Sequence, residues 1–461
     1  MDASEFEHRK QAVLEECVVS AEMFQKVEHR LEEFLEPFVA SLARREQVAH
    51  ARTFVSGLMS DLKHRNVESI AYRFGQERLP LQHFIGASEW DDSLPREELA
   101  RQIGAELGEA DGVLVFDPSA FPKSGRESVG VARQWCGRLG KVDNCQVAIY
   151  LGYVSGKEHT LVDMRLYLPR EWTNDQARMR KAGVPKGTKY RTRHELALEL
   201  LAKHGSSLPH AWITGDDEMG RPSWFRRSLR ELDEQYLLAV PSNTSIRDLE
   251  VEPPLGKRTG QPLKRPWQSV SKWAGVQPEA AWIEVDVRDG SKGRIVVEML
   301  KRRVRTRNDK KQESADDEVL VIIRYRDRDM EGVTKIDYYL SNACCETPLA
   351  QFARAAKAEH RIEECLQRAK SEAGLADYEV RNWIGWHHHQ TLSLIATWFL
   401  VTELRRGKKM DPGDHTPANP TNHLPDPPSS VWMRYSVTNP TRLPTTSATQ
   451  RTRTRLPLET T

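Results

Sequence analysis

Four consecutive apolar residues, Val113, Leu114, Val115 and Phe116, run straight into Asp117 in the stretch DGVLVFDPSAFPKSG. An apolar run of this length, bounded by turn residues, reads as a buried strand. It also marks a change of texture. Before it, residues 1–108 carry helical spacing: Phe24, Val27, Leu31, Phe34 and Leu35 recur mostly three or four apart. QVAHARTFVSGLMSDLKHRNVESIAYRFG predicts a further helix pair ended by Gly75, and DSLPREELARQIGAEL a helix capped by Ser93 with Pro95 in its first turn. After it, NCQVAIYLGYVSG and HTLVDMRLYLP read as strands joined by a turn at Ser155 and Gly156. TRHELALELLAKHG reads as a helix stopped by Gly205, and HAWITGD as a fourth strand ending on Asp216. The order is β-β-β-α-β, which predicts an α/β fold.

Further along, EQYLLAVPSN reads as a strand, and the segments around 281–300 and 318–342 alternate at period two, as antiparallel ribbons do. Helical spacing returns in LAQFARAAKAEHRIEECLQRAKSEAG and HHHQTLSLIATWFLVTELRRG. From residue 410 the periodicity is lost, and the tail holds nine of the 25 prolines, so residues 410–461 are expected to be disordered. No apolar run approaches the roughly 20 residues of a membrane span. None of the six cysteines stands in a CxxC pair, and the N-terminus is acidic and polar. These features predict reduced thiols and a cytoplasmic location. The net charge of +2 singles out no partner; the distribution of charge has to be read instead.

Three acids share a setting. Asp117 and Asp216 close strands, and Glu363 sits on a later helix. Carboxylates at adjacent strand ends can converge on one sheet edge, and a helix can bring a third over them. Such hard oxygen donors suit Mg²⁺. Counting about 100° per residue from Ile362, the side chains of Ile362, Cys365, Leu366 and Ala369 form an apolar arc flanked by Glu363, Gln367 and Lys370. Glu364 points to water, as a partner for Arg361 or Arg368. Between Asp216 and Asp217 the pattern does not choose. Strand-end caps and solvated charge account for the same acids without any chemistry.

The stretch VLVFDPSAFPKSGRESVGVARQWCGRLGKVDNCQVAIYLGYVSG closely resembles the first-aspartate block of DDE transposases of insertion-sequence family 701, within the insertion-sequence 4 superfamily. AWITGDDEMGR…YLLAVP is similar to the second-aspartate block, with Asp216 at the matching position and Asp217 as the fallback. HRIEECLQRAKSEAGLADYEVRNWIGWHHHQTLSL is similar to the glutamate block, with Glu363 and Lys370 at the family spacing. The likeness extends over residues 20–405. It departs from the family at Ala356 and Glu359, where a Tyr and an Arg are usual, and at Pro118 and Ala120, where an acid and a Gly are usual.

The resemblance implies an RNase H-like catalytic core, a mixed sheet with flanking helices, in residues 109–220 and 348–409. A β-rich insertion would occupy 221–347, and an all-helical N-terminal region, 1–108, would help bind transposon ends. Asp117, Asp216 and Glu363 would be catalytic and hold two Mg²⁺ ions, with Mn²⁺ as a substitute. The chain would cut the ends of an insertion sequence and join them to target DNA by in-line phosphoryl transfer, as a homodimer on the DNA. A catalytically inactive DNA-binding derivative and an RNase H-like nuclease without strand transfer are the alternative readings.

Basic segments would hold the duplex. RMRKAGVPKGTKYRTR is one; GKRTGQPLKRPWQSVSKW supplies Lys264 and Arg265, with Trp267 among them for stacking on an unpaired base, and KRRVRTRNDKK supplies Arg302 and Arg303. Lys370 would contact phosphate near the metals. Lys123 reads equally as a phosphate contact or a turn residue. His387, His388 and His389 point three ways on a helix and cannot all ligate one ion; one of them is expected to pack near the active site.

Overall fold

The computed structural model describes residues 26–258, 260–290, 293–326 and 333–410. The tail expected beyond Met410, together with Cys17 and Phe24, lies outside the described residues. Five helices come first: α1 (Val27–Val39), α2 (Arg45–Leu58), α3 (Val67–Arg73), α4 (Arg78–Gly86) and α5 (Ser93–Leu107). The helix α4 follows Gly75 and was not expected. Ser93 is the first residue of α5 and not its cap; its N–H donates to the Asp91 carboxylate at 2.9 Å.

The central sheet is built from β1 (Val113–Pro122), β3 (Lys141–Val154), β4 (His159–Leu166), β5 (Trp212–Gly215) and β6 (Tyr236–Ala239). They lie in the order β4-β3-β1-β5-β6, with β1, β5 and β6 parallel and β3 and β4 antiparallel. A short strand, β2 (Ala132–Cys136), pairs with the start of β3. Between strands lie α6 (Arg170–Thr173), α7 (Gln176–Lys181), α8 (Arg193–His204), α9 (Asp217–Gly220) and α10 (Ser223–Glu231). Thr192 opens α8 with a reciprocal cap to Glu195.

Beyond β6 the same sheet continues through antiparallel strands. These are β7 (Ser245–Asp248), β8 (Gln268–Ser269), β9 (Ile283–Gly290), β10 (Gly293–Arg307), β11 (Glu313–Arg326) and β12 (Val333–Ser341), with α11 (Val270–Gly275) among them. β12 pairs with β6, so the extension is hydrogen-bonded onto the central sheet. β6, grouped by sequence with the ribbons, is the parallel neighbour of β5.

Two long helices finish the fold: α12 (Leu349–Glu372), which packs on β1, β3, β4 and β5, and α13 (Trp383–Met410), which packs on β4 and on α2, α4 and α5. One apolar cluster joins α1–α5 to the sheet and to α13, so the first helices have no core of their own. Arg30 on α1 donates to Glu403 on α13 at 2.6 Å. Phe116, at the heart of this cluster, is fully buried, and burial of such a side chain contributes about 1.5–3 kcal/mol. A mixed sheet with flanking helices is the architecture of an RNase H-like core. Among the described residues no helix is long and apolar enough to cross a membrane.

Candidate active site

The parallel ladder of β1 and β5 ends at the pair Phe116 and Gly215. Asp117 and Asp216 are the next residue on each strand. Neighbouring strands lie about 4.8 Å apart, so the two carboxylates leave the same sheet edge side by side. Asp117 does not close its strand, as the apolar run suggested. β1 continues to Pro122 against β3, with Asp117 opposite Tyr150. The Lys123 N–H donates to Asn144 O on the β3 side. By alternation the missing N–H groups of Pro118 and Pro122 fall on the other edge, where β5 has already ended and no donor is needed.

Asp216 is the N-cap of α9, its carboxylate accepting the Met219 N–H at 3.0 Å. A Cβ on Gly220 would stand 1.9 Å from Ala239 O, so glycine lets this turn press against β6 and fixes where Asp216 points. Asp217 is exposed and lies 3.4 Å from Arg221.

The helix α12 crosses the sheet with Ile362, Cys365, Leu366 and Ala369 buried, the arc expected from sequence. A Cβ on Gly152 of β3 would come 2.5 Å from Ile362, so the close approach of α12 depends on that glycine. It sets Glu363 at the rim. Asp117, Asp216, Glu359, Glu363 and Lys370 line one open cleft of about 730 Å³. The Lys370 ammonium donates to Ser119 Oγ at 2.7 Å and lies 5.1 Å from the Phe121 ring. Glu363 is largely exposed and stands 3.7 Å from His360. Glu364 also pairs with His360, at 3.2 Å, while Arg361 donates to Ser155 O and Arg368 meets Glu372; the expected Glu364–arginine contact is not the one formed.

The cleft gathers half-buried acids close together, and this disfavours their charged forms. Burial pushes the Asp117 carboxyl up to about 6, with Lys370 opposing and Glu363 adding to the rise. Asp216 is pushed up to about 7 by burial, then by Asp117, Glu218 and Asp217, against the Met219 hydrogen bond. Glu359 is pushed up to about 8 by burial and by Asp216, Asp117 and Asp337, against Lys335. Glu359 is the site residue that sequence reasoning set aside: its place four before Glu363, on the same helix flank, was the available signal. Its Oε2 is buried with no hydrogen-bond partner.

All these donors are carboxylate oxygens, a set that fits a hard divalent cation, and the orphaned oxygen of Glu359 fits it as well. Among the described residues no three such side chains already converge closely enough to hold an ion.

Other predicted contacts are spread more widely. The Lys123 ammonium lies 3.5 Å from the Tyr378 ring centre and donates to Tyr378 O at 3.3 Å; burial brings it down to about 8. Lys264 is exposed. Arg265 donates to Val251 O at 2.5 Å. Trp267 lies against the guanidinium groups of Arg247, at 4.4 Å, and Arg307, at 4.7 Å. Arg302 donates to Glu250 at 2.7 Å, and the exposed Arg303 gives its backbone N–H to the same carboxylate at 2.8 Å. His387, His388 and His389 are buried, and each faces a backbone carbonyl: Trp383 O, Ile85 O and Trp90 O, and Gly374 O respectively. None of the three lines the acidic cleft.

Residues 37–294 match the family described as DDE superfamily endonuclease. Over 197 residues the chain is 31% identical to a protein of Microchaete diplosiphon named "Probable transposase for insertion sequence element IS701". That alignment covers 42% of this chain and 49% of the other, so the chain spans about half the length of the curated relative it matches. The likeness to insertion-sequence family 701 read from the motifs is therefore matched by an independent comparison. The family match takes in more than half of the chain, including both aspartates of the cleft, and on this ground the chain belongs to the DDE superfamily endonucleases.

Proposed function

We propose that this chain is a DDE transposase that cuts the ends of an insertion sequence and joins them to target DNA. The observation that carries the reading is the meeting of Asp117, Asp216, Glu363 and Lys370 in one cleft, where the parallel ladder of β1 and β5 ends. The three acids are the metal-holding triad. Two Mg²⁺ ions bound there would supply charge stabilisation for the attacking and leaving oxygens of an in-line displacement.

The chain's own residues then divide the work. Asp117, within β1, and Asp216, just after β5, would hold the metal from the rigid sheet. Glu363 completes the set from α12, which buries its apolar arc on the sheet and so fixes the height of the carboxylate. Lys370, two turns further along the same flank, holds a DNA phosphate beside the acids, and its tie to Ser119 orients it in the meantime. The extended sheet carries Lys264, Arg303 and Trp267 toward the duplex, and phosphate contacts of this kind position DNA without reading its sequence. The helices α1–α5 help to hold the element's ends, and two copies act together on the paired ends.

The test is strand cleavage of a plasmid carrying the inverted repeats that flank the gene. With Mg²⁺ present, Asp117→Ala, Asp216→Ala and Glu363→Ala are expected to abolish cleavage while end binding in a gel-shift assay is retained. Full nicking by Asp117→Ala would reject the assignment. Cleavage without joined products by the unaltered chain would reduce it to a nuclease.

A further inference from the structure

We propose that Glu359 is a fourth carboxylate ligand of the cation site, acting through its buried Oε2. The inference rests on the reading of the cleft as a cation-dependent centre and adds a residue that the triad does not contain. Glu359 lies in the wall shared by two cavities. One is the acidic cleft; the other, of about 640 Å³, runs between α12 and the strands β11 and β12. Its Oε2 is shut off from solvent and accepts no hydrogen bond.

A buried carboxylate oxygen without a donor is costly unless a cation or a proton meets it. Protein donors do not fill that role here. Asp117, Asp216 and Asp337 around it are acids, and the Lys335 ammonium that shares its field is engaged with Asp337 at 2.9 Å. Glu318 is the contrasting case of a buried acid that serves the fold. Glu318 accepts from Arg226, Tyr236 and Thr306 at 2.7–2.8 Å. Glu359 shares its field with acids and with the phenols of Tyr325 and Tyr339, none of which bonds its Oε2, and an open cleft lies beside it. One helical turn separates it from Glu363, so both present their carboxylates along one flank of α12. An ion between Asp117 and Asp216 would be approached by two glutamates from the same helix.

The experiment is calorimetric titration of the full 461-residue chain with Mn²⁺, without DNA, for the unaltered protein and for Glu359→Gln, Glu359→Arg and Asp117→Asn. Circular dichroism checks the fold of each. Glu359→Gln is expected to weaken Mn²⁺ binding about tenfold or more, and Glu359→Arg to remove it. Melting in the absence of cation gives a second readout. Glu359→Gln replaces a carboxyl whose charged form burial disfavours and should melt at or above the temperature of the unaltered chain. A fall in that temperature would mark Glu359 as a structural acid and overturn the proposal. Mn²⁺ affinity within twofold of normal in Glu359→Gln, with binding lost in Asp117→Asn, would also overturn it while leaving the proposed function standing. Unchanged binding in both variants would overturn the cation reading of the cleft together with this inference.

Discussion

Carboxylates withdrawn wholly or partly from water occur in two settings on and against this sheet, and their contrast separates structure from chemistry. On β4, Asp163 is completely buried and accepts from Arg96, from His204 at 2.7 Å, from Arg165 at 3.1 Å and from the Met164 N–H at 2.7 Å. Burial pushes its carboxyl up, but Arg96, the His204 hydrogen bond and Arg165 hold it well below the usual carboxylate range. Glu318 on β11 is likewise held low, against burial, chiefly by Arg226. In the cleft the balance is reversed. Asp117, Asp216 and Glu359 are all pushed up, with Lys370 beside Asp117 and Lys335 near Glu359 as the opposing cations. The first kind of acid has its charge neutralised by the fold. The second kind has no such neutralisation from the fold and keeps its protons until something else meets the charge.

The largest expected effect is on the partnered acids. Asp163→Ala leaves the buried Arg96 with Asp92 as its remaining carboxylate and takes the carboxylate partner from the buried His204. Breaking a buried pair in this way costs about 3–5 kcal/mol, and Glu318→Gln, which uncouples Arg226, should also be strongly destabilising. Asp117→Asn should cost little in the metal-free protein, because it removes a charge that burial already disfavours. Urea unfolding of the three variants measures this. Equal losses in all three would erase the distinction between the two kinds of acid.

The cleft acids also set a pH dependence of the opposite sign to that of Asp163. Their folded-state values, about 6, 7 and 8, lie above the ordinary carboxylate values near 4 of an unfolded chain. Between these limits the folded protein binds more protons than the unfolded one, so these groups make stability fall as pH rises from about 4 to 8. Asp163 is held low in the folded state, and its contribution is present above pH 4 and lost only in stronger acid. Melting curves between pH 5 and 8.5 should therefore show a decline that Glu359→Gln makes shallower and that Mg²⁺ reverses, since a bound cation favours the ionised carboxylates. A decline unaffected by either would mean that the cleft acids do not couple to stability.

What could be read in the sequence follows the same physics. Asp117 and Asp216 were visible because an apolar strand running into an acid is a local signal. Glu363 and Lys370 were visible because seven residues make two helical turns. The extension of β1 past Asp117 was hidden by Pro118, which argues against a strand unless the neighbouring ladder is known to have stopped. β2 was hidden because ARQWC is short and carries little apolar alternation. Glu359 stood at a position where the family pattern has a cation, so it read as a departure; only the packing of α12 on β3 shows that it faces the acids. The run KRRVRTR read as free positive charge, yet Arg302 is engaged with Glu250, in the loop after β7, and Arg305 with Asp317 across the β10–β11 pair at 2.9 Å.

The smallest effect separates the two aspartates that the sequence could not tell apart. Asp216→Asn keeps a side-chain oxygen for the Met219 N–H, and asparagine caps about as well as aspartate. Asp217→Asn loses an exposed pair with Arg221, an interaction of about 0–1 kcal/mol. Neither change should shift the metal-free stability by more than about 0.5 kcal/mol, so stability alone cannot rank them. The response to cation should. Asp216 lines the cleft beside Asp117, and its replacement removes a donor from the edge where the ion would bind. Asp217 turns outward, and its replacement leaves that edge intact. The rise in melting temperature on adding Mg²⁺ should therefore be lost in Asp216→Asn and kept in Asp217→Asn. The reverse result would move the second aspartate of the triad by one residue and place the metal on the outer side of α9.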